Sequence, residues 1–313
     1  MTDYVLGGLY GLLVGDAVGV PYEFAAPERL PRLELIDIEP PAGFDRSHDG
    51  APRGAWSDDG AHALCLLASL LYCGRLDLDD LGRRLLNWFD HGYLAVENVV
   101  FDVGGQTATA LASIRNGTPA AQAGPSRERD NGNGSLMRVL PLALWHTGSD
   151  VELIEAAALQ SVVTHGHLRS QLCCAAYCLW ARATLARRDD AWSHAVDVLV
   201  EYSSCRPSWR LELEEHLRLD AAPGGTGSGY VVDCLHSARL AATEPTYERA
   251  VQRAISLGDD TDTTAAVAGG VVGIREGMQA IPGRWLGALA GREIVEPLAD
   301  ALLAHRDQVT RHG

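Results

Sequence analysis

The chain has 313 residues, of which 47% are hydrophobic and 21% are charged, and its formal net charge at pH 7 is −15. This composition is typical of a globular protein, and the lack of a basic run disfavours binding to duplex nucleic acid. We expect no membrane role, because no stretch approaches the ~20 apolar residues that a spanning helix needs. The N-terminal segment carries Asp3 and Asp16 without a basic start, so we predict no signal peptide and a cytoplasmic location.

Hydrophobic residues recur at helical spacing along most of the chain. Near its start, Gly11, Gly15 and Gly19 share one helical face, which favours the close approach of another helix. Further helices are predicted in chain order over 64–71, with a stop at Gly74, and over 81–89, 151–163, 170–186, 230–242, 246–255 and 294–304. Polar, glycine-containing loops are predicted over 121–134 and 221–229. Because strand patterns are scarce, the sequence predicts an all-α protein, taken as one domain over residues 1–313.

Two acidic clusters stand at the starts of predicted apolar helices. The first is formed by Ser57, Asp58 and Asp59, and the second lies in the stretch LGDDTDTTAAVAGG at 257–270. Helix N-capping accounts for one or two side chains in each cluster, because Ser and Asp accept hydrogen bonds from the first free amides. The remaining carboxylates and hydroxyls are hard oxygen ligands, which favour Mg²⁺, Mn²⁺ or Ca²⁺ over zinc or copper. If the clusters converge, they can hold two cations and bind a substrate's oxygens between them.

Seven stretches spread over nearly the whole chain carry a family resemblance. They are GLLVGDAVGVPYEF (11–24), WSDDGAHAL (56–64), NGNGSLMRVLPLAL (131–144), VTHGHLRSQLCCAAY (163–177), GSGYVVDCLHSARLA (227–241), LGDDTDTTAAVAGG (257–270) and IPGRWLGAL (281–289). In this order they resemble the ADP-ribosylglycohydrolases related to dinitrogenase-reductase-activating glycohydrolase. The resemblance implies an all-α, single-domain helical bundle with a binuclear magnesium or manganese centre in a cleft.

The resemblance also implies which residues bind the two cations and which carry the chemistry. In the family, each acidic motif contributes two carboxylates and one hydroxyl, and the matching metal ligands here are Ser57, Asp58, Asp59, Asp260, Asp262 and Thr263. Asp259 stands where relatives often have Asn or Gly, and we expect it to be a helix cap or to support the ligands. Glu23 matches a residue proposed to activate water in some relatives. The expected catalytic residues are Glu23, Asp58 and Asp260, and the sequence leaves open which of them carries the proton.

Substrate-binding residues are implied by three further motifs. The first loop contributes Gly132, Asn133, Gly134, Ser135 and Met137; the others contribute Thr164 and His165, and Ser228, Gly229 and Tyr230. Tyr230 is expected to stack on the ligand, and Asp102 is expected near the distal ribose. Gly60 stands where many relatives have Thr, which removes one hydroxyl and is expected to alter metal affinity or specificity slightly.

The predicted reaction is hydrolysis of the glycosidic bond that joins ADP-ribose to a protein side chain, with arginine as the favoured linkage. The alternatives are release of ADP-ribose from serine, from a nucleobase or from O-acetyl-ADP-ribose, and a non-catalytic ADP-ribose-binding relative. All four core carboxylates and both hydroxyls are present, which favours catalysis over binding alone. The expected partner is an ADP-ribosylated protein or a small molecule that contains ADP-ribose. A composition rich in Ala, and in Arg over Lys, suggests a bacterial source.

Overall fold

The computed structural model describes residues 2–312, and the side chains of residues 2–309. Fourteen α-helices make up most of this part of the chain: α1 (Thr2–Gly19), α2 (Asp58–Cys73), α3 (Leu78–His91), α4 (Gly105–Arg115), α5 (Leu140–Trp145), α6 (Asp150–Ser161), α7 (Leu168–Leu185), α8 (Ala191–Ser203), α9 (Pro207–Glu212), α10 (Val231–Ala241), α11 (Tyr247–Ile255), α12 (Thr261–Glu276), α13 (Gly283–Ala288) and α14 (Arg292–His312). The described residues contain no β-strand, only an isolated bridge between Gly132 and Tyr230. The predicted all-α fold is confirmed, and every predicted helix is present.

The most extensive contact between two helices joins α1 to α12. Glycines on both helices let the two backbones approach each other closely. A Cβ atom at Gly11 would lie 2.4 Å from the Gly269 carbonyl oxygen, and one at Gly15 would lie 2.2 Å from the Ala265 carbonyl oxygen. Side chains cannot be accommodated at these distances. The glycine face predicted in α1 is therefore a helix-packing surface.

The segment Thr2–Tyr22 is long and apolar enough to cross a membrane, so the expectation that no stretch approaches this length and hydropathy was wrong. Burial inside the protein explains why this segment is apolar. The helix contacts α2, α5, α11 and α12, and 89% of its most apolar window is buried inside the protein. A helix that is apolar on all sides is typical of a protein core as well as of a membrane. In this structure, α1 is a core helix.

The C-terminal end of α1 gathers both acidic clusters. The Asp16 carboxylate accepts hydrogen bonds from the Ser57 amide at 2.9 Å and from the Gly60 amide at 2.8 Å, which fixes the start of α2. At the start of α12, the Thr261 hydroxyl donates a hydrogen bond to the Gly19 carbonyl at 2.9 Å. Two helices that are distant in sequence therefore begin beside the same end of α1.

Candidate metal centre and active-site cavity

The two acidic clusters meet where α2 and α12 begin. The Thr263 hydroxyl donates a hydrogen bond to Oδ1 of Asp59 at 3.2 Å, which links one cluster to the other. Asp58, Asp260 and Thr263 line a single cavity of about 250 Å³. Asp59 and Asp262 are completely buried. The structure thus brings together the residues predicted as metal ligands, which are Ser57, Asp58, Asp59, Asp260, Asp262 and Thr263.

Helix capping leaves part of this acidity unexplained. Ser57 is the N-cap of α2, and its side chain accepts a hydrogen bond from the Asp59 amide at 3.2 Å. Asp260 is the N-cap of α12, but its carboxylate makes no capping hydrogen bond. Oδ2 of Asp59 and Oδ2 of Asp262 are buried and have no hydrogen-bond partner among the described residues. Because a buried, unpaired carboxylate oxygen is costly, these two oxygens fit a bound cation.

The electrostatics of the cluster also favour positive charge. Burial raises the pKa values of Asp58, Asp59 and Asp262 well above the ordinary range of an aspartate. Neighbouring carboxylates are the next causes, and for Asp58 the largest of them is Asp102. Carboxylates in such a site remain ionised together only when positive charge compensates their repulsion and lost hydration. Bound cations would supply this charge.

Asp16 is a site residue that the sequence analysis did not identify. Its carboxylate is completely buried and accepts hydrogen bonds from the backbone of the first acidic motif. Burial raises the pKa of Asp16 to about 7. Its signal in the sequence was a carboxylate within an otherwise apolar helix, since such a side chain is rarely buried without a specific partner. Asp16 holds the start of α2 in place.

Glu23 lies between this cluster and a neighbouring loop, and it is 4% exposed. One of its carboxylate oxygens contacts Nε2 of His48. Single carboxylate oxygens of Glu23, Asp260 and Asp262 lie within 4.8 Å of one another. Burial raises the pKa of Glu23 to about 8 when no cation is bound. His48 lies in an irregular segment, and no sequence pattern indicated its contact with Glu23.

Two loops complete the wall of the cavity. Nδ2 of Asn133 donates a hydrogen bond to Oδ2 of Asp260 at 2.8 Å. The backbone amide of Asn133 donates a second one to the Gly229 carbonyl at 3.1 Å. A Cβ atom at Gly134 would lie 2.8 Å from the His165 ring, so a side chain at this position would collide with the ring. The residues predicted to bind substrate that line the cavity are Asp102, Gly132, Asn133, Gly134, Met137, His165 and Gly229.

Ser135 and Thr164 were predicted to bind substrate, but neither lines this cavity. Both are completely buried. The Ser135 hydroxyl accepts a hydrogen bond from the Ser161 hydroxyl at 2.8 Å. The Thr164 hydroxyl accepts one from Nη1 of Arg138 at 2.6 Å. These two side chains support the wall of the cavity and do not form its surface.

Ser228 and Tyr230 also lie outside the lining of the cavity. The Ser228 hydroxyl donates a hydrogen bond to the Asp233 carboxylate at 2.9 Å. The Tyr230 hydroxyl accepts one from Nη1 of Arg169 at 3.1 Å, and the side chain is 40% exposed. Stacking of Tyr230 on a ligand therefore stays a prediction. Between these two residues, Gly229 is the part of the loop that lines the cavity.

Two acidic residues of this region adopt a left-handed backbone conformation. Asp102, with a φ of 53°, lines the cavity, and burial raises its pKa. Asp259, with a φ of 61°, is exposed, and its carbonyl accepts a hydrogen bond from the Phe24 amide at 2.7 Å. The N-cap of α12 is Asp260, so Asp259 is not the cap of this helix. Asp259 acts through its backbone, which ties the turn before α12 to the segment that follows Glu23.

Comparison with known proteins places the whole chain in one family. Residues 1–312 match the profile described as ADP-ribosylglycohydrolase. The chain belongs to the ADP-ribosylglycohydrolase family. ADP-ribosylarginine hydrolase Tri1 of Pseudomonas putida (strain GB-1) is 30% identical over 318 residues, which cover 98% of this chain and 80% of that protein. The ADP-ribosyl-(dinitrogen reductase) glycohydrolase of Rhodospirillum rubrum is 29% identical, and the match covers 96% of each chain.

A solved structure supports the same assignment. It is described as an ADP-ribosylglycohydrolase-related protein complex and is 31% identical to this chain. The two structures superpose with a TM-score of 0.76, over 97% of this chain and 98% of the other. The resemblance inferred from the seven motifs is thus confirmed, and so is the helical fold it implied. As a member of the ADP-ribosylglycohydrolase family, the protein is a glycosyl hydrolase.

Proposed function

We propose that this ADP-ribosylglycohydrolase cleaves the bond between ADP-ribose and an arginine side chain of a modified protein. The observation that carries the proposal is the convergence of the two acidic clusters with Glu23 around one cavity. The arginine linkage is supported by the relatives named ADP-ribosylarginine hydrolase Tri1, which are 29% and 30% identical to this chain. We infer that the enzyme acts in the cytoplasm on an ADP-ribosylated protein.

The proposed cofactors are two divalent cations, Mg²⁺ or Mn²⁺, because every donor in the cluster is an oxygen atom. Their proposed ligands are Ser57, Asp58, Asp59, Asp260, Asp262 and Thr263. When bound, the cations would orient the ribose that carries the scissile bond and polarise its oxygens. Two other residues position the proposed ligands. Asp16 fixes the start of α2, and Asn133 orients the Asp260 carboxylate through a hydrogen bond of 2.8 Å.

Glu23 is the proposed proton carrier. Burial favours the protonated form of its carboxyl by raising the pKa, and this proton can be donated to the leaving nitrogen as the bond to the anomeric carbon breaks. The ionised carboxylate can then accept a proton from the water that adds to that carbon. The contact with His48 favours the ionised form of Glu23 in this second step. Asp58 and Asp260 are alternative carriers, because both line the same cavity.

The loops are proposed to bind ADP-ribose through short and uncharged groups. Gly132 and Gly134 line the cavity, where the lack of a side chain lets a ligand approach the backbone. Nδ1 of His165 pairs with the Thr164 hydroxyl at 2.8 Å, which leaves Nε2 for a ligand. Burial lowers the pKa of His165 to about 3, so the ring is neutral. His165 therefore contributes a hydrogen bond and no positive charge.

The test is the release of free ADP-ribose from an arginine-ADP-ribosylated protein, with Mg²⁺ or Mn²⁺ and with a chelator. We expect release by the wild type that depends on the metal and that is lost in Asp260→Asn. The exposed residue Asp79 provides a matched control, since Asp79→Asn makes the same chemical change away from the cavity. An enzyme that binds ADP-ribose but releases none would exclude the arginine linkage. Serine, nucleobase and O-acetyl linkages would then be assayed in turn.

A further inference from the structure

A second cavity, of about 410 Å³, lies beside the first and shares Glu23 with it. Its other lining residues are Phe24, Ala25, Arg29, Gly43, Phe44, Asp45, Arg46 and Ser47. None of the proposed metal ligands is among them. Glu23 therefore stands at the boundary between the cavity that contains the acidic clusters and a cavity of different chemistry.

Phe24 gives the second cavity an exposed aromatic surface. Its side chain is 66% exposed, although the residue directly follows the buried Glu23. Its φ of 62° is unusual for a bulky side chain, and the backbone is held there by the hydrogen bond from its amide to the Asp259 carbonyl. Unfavourable backbone conformations of this kind concentrate at functional sites. An aromatic ring held outward beside a catalytic carboxyl is a surface for an apolar group of a ligand.

Arg46 lines the same cavity and has an unpaired hydrogen-bond donor within the described structure. Nε of Arg46 is buried and has no hydrogen-bond partner within the described residues. Its nearest acidic atom, Oδ1 of Asp49, is 3.9 Å away, which exceeds the length of a hydrogen bond. Arg29, also in the lining, is 3.8 Å from Asp45. These guanidinium groups suit carbonyl or carboxylate acceptors of a ligand.

We propose that the second cavity binds the polypeptide that carries the ADP-ribose, an inference that rests on the proposed function. An apolar side chain of the target next to the modified residue packs against Phe24 and Phe44, and a main-chain carbonyl or an acidic side chain of the target binds Arg46. ADP-ribose occupies the cavity beside the acidic clusters, so the scissile bond lies at Glu23. A polypeptide fits better than a lone leaving group because the surface combines aromatic rings with donors for main-chain carbonyls.

The experiment compares an arginine-ADP-ribosylated protein with ADP-ribosyl-arginine as the free amino acid. The variants are Phe24→Ala and Arg46→Gln, and Tyr72→Ala serves as a control, because Tyr72 is an exposed aromatic residue on α2 outside both cavities. We expect kcat/KM on the protein substrate to fall by about tenfold in each variant, through KM, as is typical of contact residues in an interface. Turnover of the free amino acid should stay within about twofold of the wild type.

Equal losses on both substrates, or no loss on the protein, would overturn the inference and leave the proposed function intact. If the wild type releases ADP-ribose from neither substrate, the proposed function fails. The role of the second cavity is then tested separately, by measuring ligand affinity. Calorimetry would then compare an ADP-ribosylated peptide with ADP-ribose. Tighter binding of the peptide that is lost in Phe24→Ala supports the second cavity. Equal affinity for the two ligands refutes it.

Discussion

Thr263 donates a hydrogen bond to Asp59 at 3.2 Å and so joins the starts of two helices that are distant in sequence. Asp59 lies in the first turn of α2, and Thr263 lies in the first turn of α12. Within the described part of the chain, Asp59 and Asp262 each have one carboxylate oxygen without a hydrogen-bond partner. The contact therefore aligns two incomplete sets of oxygen donors. The proposed catalysis depends on this alignment and on the residues that maintain it.

Asp16→Asn tests how the alignment is maintained. The carboxylate accepts amide hydrogen bonds from Ser57 and Gly60, and an asparagine amide group offers only one oxygen to them. We expect the free energy of unfolding to fall by about 1–3 kcal/mol, together with weaker Mn²⁺ binding. Urea unfolding and a Mn²⁺ titration measure the two effects. Asp79→Asn, at an exposed position, should change neither, and an unchanged Asp16→Asn variant would refute the positioning role.

Gly60→Thr tests the position of the first acidic motif at which the family resemblance implies a threonine. A Cβ atom at Gly60 would lie 2.6 Å from the Trp56 side chain and 2.8 Å from that of Leu13. We therefore expect the threonine to lower the free energy of unfolding by about 1–3 kcal/mol, because the core is overpacked. Gly105→Ala is the control, since nothing lies within 4 Å of a Cβ atom there. A fully stable Gly60→Thr enzyme would mean that packing does not select this glycine.

His62→Leu tests a source of pH-dependent stability outside the cavity. The ring is completely buried, and neither nitrogen has a hydrogen-bond partner in the described structure. Burial, followed by the charge of Arg138, lowers the pKa of His62 well below the ordinary value of 6.5. The unfolded chain therefore binds a proton that the folded chain excludes. This effect reduces the free energy of unfolding by about 1.4 kcal/mol for each pH unit below 6.5.

His62→Leu has no histidine at this position for the unfolded chain to protonate. Its free energy of unfolding relative to that of the wild type should therefore increase as the pH falls from about 7 to about 5. Urea unfolding at several pH values measures the difference. His91→Gln removes an exposed histidine and should follow the wild type at each pH. A constant difference in the free energy of unfolding between His62→Leu and the wild type over this pH range would show that His62 does not cause the acid sensitivity.

Glu23→Gln separates proton transfer from metal binding. Glutamine preserves the size of the side chain but cannot carry the proton, so we expect kcat to fall by about 10²–10⁴. Mn²⁺ affinity should change little, because the proposed ligands belong to the two acidic clusters. Release assays and a Mn²⁺ titration on the same preparation measure both quantities. Lost Mn²⁺ binding would make Glu23 a ligand, and retained turnover would transfer the role of proton carrier to Asp58 or Asp260.

Helical spacing predicted helices such as α3 and α11 well because each of them buries one face, and the capping signals Ser57 and Gly74 mark the two ends of α2. The acidic clusters were also readable, since each motif is contiguous in sequence. The contact between Glu23 and His48 was not, because it depends on the path of an irregular segment that has no periodicity. Likewise, the orientation of Ser135 and Thr164 away from the cavity depends on tertiary packing, which a loop motif does not encode.

The most direct test of the central claim is the number of Mn²⁺ ions bound per chain. Equilibrium dialysis would compare the wild type with Asp59→Asn, Asp262→Asn and the double variant, and Asp79→Asn would be the control. We expect two ions in the wild type and in Asp79→Asn, fewer in each single ligand variant, and none in the double variant. Absence of saturable binding in the wild type, or two ions retained by the double variant, would contradict a shared two-cation centre.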